Sequence, residues 1–431
     1  MKKLSAVLVG AGNRGCTYAG YSLEAPEELE IVAVVEPNRE RRVAAEKNYN
    51  IPENRCFSCL EDFLTQKIKC DFVINATMDE FHYETAKQIL LNGYNMLLEK
   101  PIVSEKKQLL ELKKIANDRN LRVLVCHVLR YTPFYKSIKE IIDSGKIGEI
   151  LTMEMNEHVW IGHFLDSYVR GKWKSKKQCG SGFLLAKSCH DIDIMCWLNN
   201  ATKPKEVSSF GSRSLFIKEN APKGAMKYCY NCPHNETCLY SAQKVHLEYD
   251  GMPFQTWAGM GKPIDQITKE EKAEWLKTSE YGLCAYDAGG DINDRQSLQV
   301  RFENGSVGTF TMVGGCSESG RFLHICGSRG EIEGSLEDGK FLLRYFKEDG
   351  KNKSGIFGCI RETIDINNLI HKSENYAGHA GGDYAIMYEI VRYFNGDDTS
   401  VSITNINDSV NGHLVVYAAE ESNKKHKIIK L

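Results

Sequence analysis

Leu4-Ser5-Ala6-Val7-Leu8-Val9-Gly10-Ala11-Gly12-Asn13-Arg14-Gly15 joins a short apolar run to a glycine loop, and that join decides the fold of the N-terminal part of the chain. A run this rich in Val and Leu suits a strand buried on both faces. The loop has the spacing Gly-x-Gly-x-x-Gly and should open a helix. Gly10 permits the tight turn, Gly12 lets backbone approach a pyrophosphate, and Gly15 lets the helix sit close to the strand. Backbone N–H groups around Asn13 and Arg14 then face the phosphates at the helix start. Working outward, the next apolar run, Ile31–Val35, ends at Glu36, 21 residues beyond Gly15. A carboxylate there accepts hydrogen bonds from a ribose diol and repels a 2′-phosphate, so NAD is favoured over NADP, with Arg39 nearby softening that preference. Further apolar runs at Phe72–Ala76, Asn95–Leu98 and Val123–Cys126 alternate with helical patterns at Tyr83–Leu91 and Gln108–Asn117. This alternation predicts a doubly wound α/β dinucleotide-binding (Rossmann) domain over residues 1–127.

Beyond it the texture changes. Pro133–Ile142 reads as a helix, and Leu151–Val159 as a strand with Leu151, Met153 and Met155 on its apolar face. Ser297–Phe302 and Ser306–Val313 flank Glu303-Asn304-Gly305, a hairpin signal because Asn-Gly accepts positive φ. Short strands follow at Phe322–Cys326 and Phe341–Phe346, then helices at Tyr384–Phe394 and Ser409–Ser422. Residues 128–431 are therefore expected to form an α+β domain around a large, mainly antiparallel open sheet, interrupted by an aperiodic insertion at about 215–290. An open sheet of this kind finds a partner, so a homodimer or homotetramer is expected.

The chain has 431 residues, 55 basic against 57 acidic, and a net charge of −2. That balance gives no reason to expect nucleic acid or an anionic membrane as partner. Lys172–Lys177 clusters positive charge and reads as a solvated loop. No apolar run reaches the length of about 20 residues that spans a bilayer. The opening Met-Lys-Lys and the run after it lead into the glycine loop, not into a cleavage site, so cytoplasmic residence is expected. The 15 cysteines then belong to a reducing compartment, as thiols or metal ligands.

Three further segments carry a resemblance. Asn75-Ala76-Thr77 runs on to His82, and Asn92-Gly93-Tyr94-Asn95 leads to Glu99-Lys100-Pro101. In the second domain, Gly182-Phe183-Leu184-Leu185-Ala186-Lys187-Ser188-Cys189-His190-Asp191-Ile192-Asp193 follows a Gly-x-Leu-x-Asp-x-Gly-x-His-x-x-Asp pattern with changes. The chain thus resembles the glucose–fructose oxidoreductase / inositol dehydrogenase / MocA superfamily. The resemblance implies that Thr77, His82, Glu99 and Lys100 border the nicotinamide end of the cofactor site. It also implies that Lys100 and His190 are catalytic. An ammonium there stabilises alkoxide charge, and a histidine suits proton abstraction from a hydroxyl as hydride leaves the same carbon. Asp193, one helical turn on, is expected to orient the His190 ring. One departure stands out: Ala186 occupies the family's first Asp position, and Lys187 beside it is expected to supply a cation in its place. The Lys-Ser-Cys-His-Asp-x-Asp form, with the cysteine-rich insertion, marks a subgroup. His127, Arg130 and Tyr131, at the carboxyl end of the last Rossmann strand, are candidate substrate contacts, with Arg295 and His379.

Cys229-x-x-Cys232 and Cys238 form a second constellation. Two thiolates at this spacing make a zinc knuckle, and Cys238 supplies a third ligand. Cys284, at the end of the same insertion, is the preferred fourth ligand, with His234 and His246 behind it. A closed structural zinc is expected, which would supply folding energy to a loop region lacking its own core; an iron–sulfur cluster can use the same four thiolates.

These readings predict an NAD-dependent oxidoreductase acting on a ring hydroxyl of a sugar, cyclitol or glycoside. Ala186 and Lys187 keep open a redox-assisted glycosidase or lyase, which oxidises transiently, eliminates the aglycone and returns the hydride without net redox. A non-enzymatic NAD-sensing regulator is the remaining alternative.

Overall fold

β1 (Leu4–Val9), β2 (Leu29–Val35), β3 (Cys56–Phe57), β4 (Phe72–Asn75), β5 (Met96–Leu98) and β6 (Val123–Val125) form a parallel sheet in the order β3-β2-β1-β4-β5-β6. This computed structural model describes residues 1–248, 256–262, 264–347, 358–369 and 378–431. The strand order reverses between β1 and β4, which opens a ligand crevice at their carboxyl ends. The glycine loop lies there, leading into the helix Asn13–Ala19. Gly10 has φ +89°, and a Cβ on it would stand 2.6 Å from the Ala76 carbonyl oxygen. A Cβ on Gly15 would meet the Gly10 carbonyl oxygen at 2.0 Å. Only glycine fits either place.

The second sheet holds β7 (Ile150–Trp160), β8 (Pro204–Ser212), β9 (Arg295–Phe302), β10 (Val307–Cys316), β11 (Gly320–Gly327), β12 (Gly330–Ser335), β13 (Lys340–Phe346), β14 (Cys359–Asp365) and β15 (Ile429–Lys430). Their order is β14-β13-β12-β11-β7-β10-β9-β8-β15. Neighbours run antiparallel except β7 and β10, so the sheet is mixed with a single parallel seam. Gly305 turns the β9–β10 hairpin at φ +89°, as Asn304-Gly305 foretells. Leu151 does not join the apolar face of β7; it is 53% exposed. The reason is an irregularity: Cys326 pairs with Thr152 and Gly327 with Ile150, which leaves Leu151 as the extra residue.

One face of this sheet is covered by the helix Cys189–Leu198, every residue of which is buried. The helix Ile406–Lys425 packs against it and also reaches the first domain, where Ile406 and Val410 join the β1–β6 core and Val125 N–H donates to the Thr404 carbonyl at 3.0 Å. The insertion between β8 and β9 is not wholly irregular. Thr268 and Glu271 form a reciprocal cap on the helix Lys269–Thr278. Residues 249–255 and 263 of the insertion lie outside the described residues. Among the described residues no helix is long and apolar enough to cross a membrane.

Candidate active site

Glu36 follows directly on β2 and is 5% exposed. Oε2 accepts from Ala11 N–H at 2.8 Å and Oε1 from Asn38 N–H at 2.9 Å. The carboxylate therefore shapes the glycine loop from beneath while keeping lone pairs for a ribose diol. No protein atom lies within 4 Å of a Cβ placed on Gly12, so that side of the loop faces open space. Asn13 and Arg39 are exposed at the rim. An N–H-lined turn above a carboxylate, beside open space, fits a dinucleotide.

Arg14 does more than line the turn. Its Nε donates to Glu99 Oε1 at 3.1 Å, and its Nη2 to Asp383 Oδ1 at 2.8 Å and to the Tyr18 hydroxyl at 2.6 Å. The Tyr18 hydroxyl also donates to Glu99 at 2.7 Å, and the other Glu99 oxygen accepts from the Lys100 N–H. Glu99 is thus held at three points, and the Lys100–Pro101 bond after it is cis. Asp383 Oδ2 pairs with His379 Nδ1 at 3.0 Å. These contacts tie the glycine loop, the Glu-Lys-Pro turn and the helix Gly382–Phe394 into one network.

Lys100 Nζ donates to the Ala186 carbonyl at 3.0 Å, directly beside Lys187. His190 stands on the next helix, 5% exposed, with its Nδ1 buried and unpartnered. Burial, and then the charge of Lys100, push its imidazole well below the usual histidine range, so it is neutral. The His379 ring lies 6.3 Å from it and the His127 ring 5.8 Å. Lys100, His190, Lys187 and His379 therefore meet where the two domains join.

Several expected contacts fall elsewhere. His82 is a brace: it is 1% exposed, with Nδ1 at 2.6 Å from the Pro101 carbonyl and Nε2 at 3.0 Å from the Thr77 carbonyl. It reaches the cofactor region only by fixing the Thr77 loop, where the Thr77 hydroxyl donates to Asn75 Oδ1 at 3.1 Å. Asp193 does not orient His190. Both its oxygens accept from Arg130, each at 2.6 Å, and Arg130 also pairs with Asp408. Asp193 and Arg130 are each 1% exposed, so this is a buried tie across elements and not a substrate contact. Tyr131 is equally buried, its hydroxyl 3.0 Å from Thr404 Oγ1. His127 lies behind His190, wedged against His413 at 5.6 Å, with neither ring nitrogen hydrogen-bonded. Arg295 falls on the exposed row of β9, opposite Gln296, Leu298 and Val300. The Lys172–Lys177 cluster is not simply solvated: Lys174 is buried and pairs with Glu280 at 2.6 Å.

Sequence reasoning missed one cluster. Glu157 takes Arg321 and the Ser188 hydroxyl, the latter at 2.7 Å, and lies 3.2 Å from Lys187 Nζ. Arg321 Nε also donates to Asp191 Oδ1 at 2.9 Å. Burial alone would raise the Glu157 carboxyl, but Arg321 and Lys187 hold it well below the usual range. Burial pulls Lys187 below the usual lysine range, with Glu157 opposing. Beside Lys187 stands His163, pushed down to about 3, first by burial and then by the Lys187 charge. The signal for Glu157 was legible: it lies on the same strand parity as Met153, Met155 and Val159, the buried row of β7.

The four predicted metal ligands share a recess without closing on a common point. Cys229, Cys232, Cys238 and Cys284 line one recess with His234. His246 is not there; its Nδ1 lies 3.2 Å from Thr256 Oγ1. The closed zinc tetrahedron is not formed. Among the described residues, the trio of potential ligands within 4.8 Å of one another is His324, Cys326 and Glu331, on the second sheet. A zinc tetrahedron with 2.3 Å bonds needs sulfurs about 3.8 Å apart.

Comparison with known proteins places these features. A model described as "Oxidoreductase family, NAD-binding Rossmann fold" matches residues 4–127. Its companion, "Oxidoreductase family, C-terminal alpha/beta domain", matches residues 139–431. The chain is 23% identical over 334 residues to YteT of Bacillus subtilis (strain 168), named as an oxidoreductase, covering 76% of this chain and 74% of that protein. It is 24% identical over 224 residues to the inositol 2-dehydrogenase of Corynebacterium glutamicum (strain R), covering 52% of this chain and 58% of that protein. A levoglucosan dehydrogenase, solved with NADH and levoglucosan, shares the fold with a TM-score of 0.68 at 17% identity, over 99% of both chains. The chain belongs to the Gfo/Idh/MocA oxidoreductase family and is an NAD-binding oxidoreductase.

Proposed function

We propose that the chain oxidises a ring hydroxyl of a sugar, cyclitol or glycoside. NAD, held by Gly10, Gly12, Gly15 and Glu36, supplies the hydride acceptor when bound. The observation that carries the reading is a neutral, buried His190 whose Nδ1 has no protein partner, near enough to Lys100 to feel its charge. His190 takes the hydroxyl proton, and Lys100 steadies the oxygen as negative charge develops on it. His379, part-exposed and paired with Asp383, has its ring 6.3 Å from that of His190 and accepts the proton onward. Lys187, with Glu157 and Arg321 behind it, holds a second oxygen of the substrate.

A cyclic polyol suits this lining of donors, and named relatives point the same way: one is an inositol 2-dehydrogenase, another was solved with levoglucosan. The free thiols suit a reducing cytoplasm. The test is incubation with NAD and a panel of sugars, cyclitols and glycosides, following nicotinamide absorbance and released aglycone together. Stoichiometric NADH supports the reading. Aglycone release without net NADH overturns it in favour of redox-neutral cleavage, and NAD binding without turnover of any panel member overturns it in favour of a sensor.

A further inference from the structure

We propose that Cys229, Cys232, Cys238 and Cys284 form a thiolate-bound metal centre in the insertion, apart from the NAD site. Cys284 stands 46 residues beyond Cys238, yet the four share one recess with Tyr240 and Tyr286. Backbone fixes that approach. Tyr228 and Leu283 pair in an antiparallel bridge, and Cys284 N–H donates to the Lys227 carbonyl at 2.8 Å. Cys232 N–H closes a turn onto the Cys229 carbonyl at 3.1 Å, which brings the second knuckle thiol to the same side.

A second observation points to anionic sulfur. Arg170 is fully buried. Its Nε donates to the Leu283 carbonyl at 2.8 Å, and its Nη2 to the Tyr240 carbonyl at 2.5 Å and to Cys229 Sγ at 3.9 Å. Its Nη1 is buried with no partner. Cys229 is the side chain that this guanidinium touches. A buried cation needs a counter-charge, and four neutral thiols supply none. A divalent metal holding four thiolates carries net negative charge on sulfur, which a buried guanidinium then offsets. The surroundings supply a reason for such a centre, since beside the knot the insertion has a small apolar cluster of its own, Trp257, Ile267, Leu276 and Tyr281.

An all-sulfur ligand set selects a thiophilic metal. A single zinc ion would draw the sulfurs inward from their present spacing, whereas an iron–sulfur cluster gives each thiolate a different iron and suits a wider set. The experiment separates the two. The full-length protein, purified without chelators in air and again anaerobically, is assayed for zinc, iron and acid-labile sulfide, with its visible spectrum. The expected result is about one zinc per chain without colour, or iron and sulfide in equal amounts with broad visible absorption. In either case Cys232→Ser and Cys238→Ser lower bound metal by about tenfold or more, while Cys359→Ser, on an exposed strand far along the sequence, does not. Should a serine variant fail to fold, the wild-type metal content still decides. Under about a tenth of an equivalent of any thiophilic metal in both preparations, against the full site expected for a structural centre, overturns the proposal. So does metal content that the serine variants leave unchanged.

Discussion

At the scale of single residues, neutrality is the property of His190 on which the chemistry depends. Burial and the Lys100 charge lower its proton affinity, so it stays able to accept a proton below the ordinary histidine value of about 6.5. The acid limb of kcat/KM against pH is therefore expected below about 6.5; a limb above that value would show a different base. Lys100→Ala and His190→Ala should each lower kcat by about 10²–10⁴, with NAD affinity measured by fluorescence titration nearly unchanged. Arg130 and Asp193 teach the opposite lesson. Both carry the residue types expected of a site, yet they neutralise each other behind it. Asp193→Ala leaves the buried Arg130 guanidinium with Asp408 as its one remaining carboxylate and is expected to cost about 3 kcal/mol of stability by urea unfolding. If it impairs turnover without loss of stability, the residue belongs to the chemistry after all.

At the scale of elements, what could be read from sequence was local. The β1–loop–helix unit, Glu36 at the end of β2 and the Asn304-Gly305 hairpin each depend on neighbours a few residues apart, and each stands where its spacing puts it. Glu157 was marked by its place on the apolar row of β7, but its partner Arg321 lies 164 residues on, and no periodicity links them. The same holds for Arg130 with Asp193 and Asp408, 63 and 278 residues away. Tertiary pairing of charges is set by how sheets and helices stack, which spacing does not encode. The glycine loop gives the sharpest test at this scale. Gly15→Ala forces a Cβ into the Gly10 carbonyl, so NAD binding by calorimetry should fall below detection. Retained binding would mean that the loop is not the pyrophosphate seat.

At the scale of the whole molecule, the buried histidines set the response to acid. Burial holds His163, His246 and His413 down at about 3, against about 6.5 in an unfolded chain. Between those values the unfolded chain binds protons that the folded one refuses, so stability falls as pH falls through this window. Tm should accordingly drop between pH 7.5 and pH 5.5 before most carboxylates titrate; a flat profile there would place these rings in contact with solvent. The outward face of the mixed sheet leaves Phe210 72% exposed and Phe322 43% exposed, and is the surface through which we expect a homodimer or homotetramer to form. Light scattering on the purified chain checks that. The central claim, hydride transfer between a ring carbon and NAD at Lys100 and His190, is tested most directly with a substrate from the panel carrying deuterium on the reacting carbon. The account predicts that the deuterium appears on the nicotinamide in wild-type protein, with the rate of transfer lowered by about 10²–10⁴ in His190→Ala. NADH without deuterium, or transfer undiminished in His190→Ala, would contradict it.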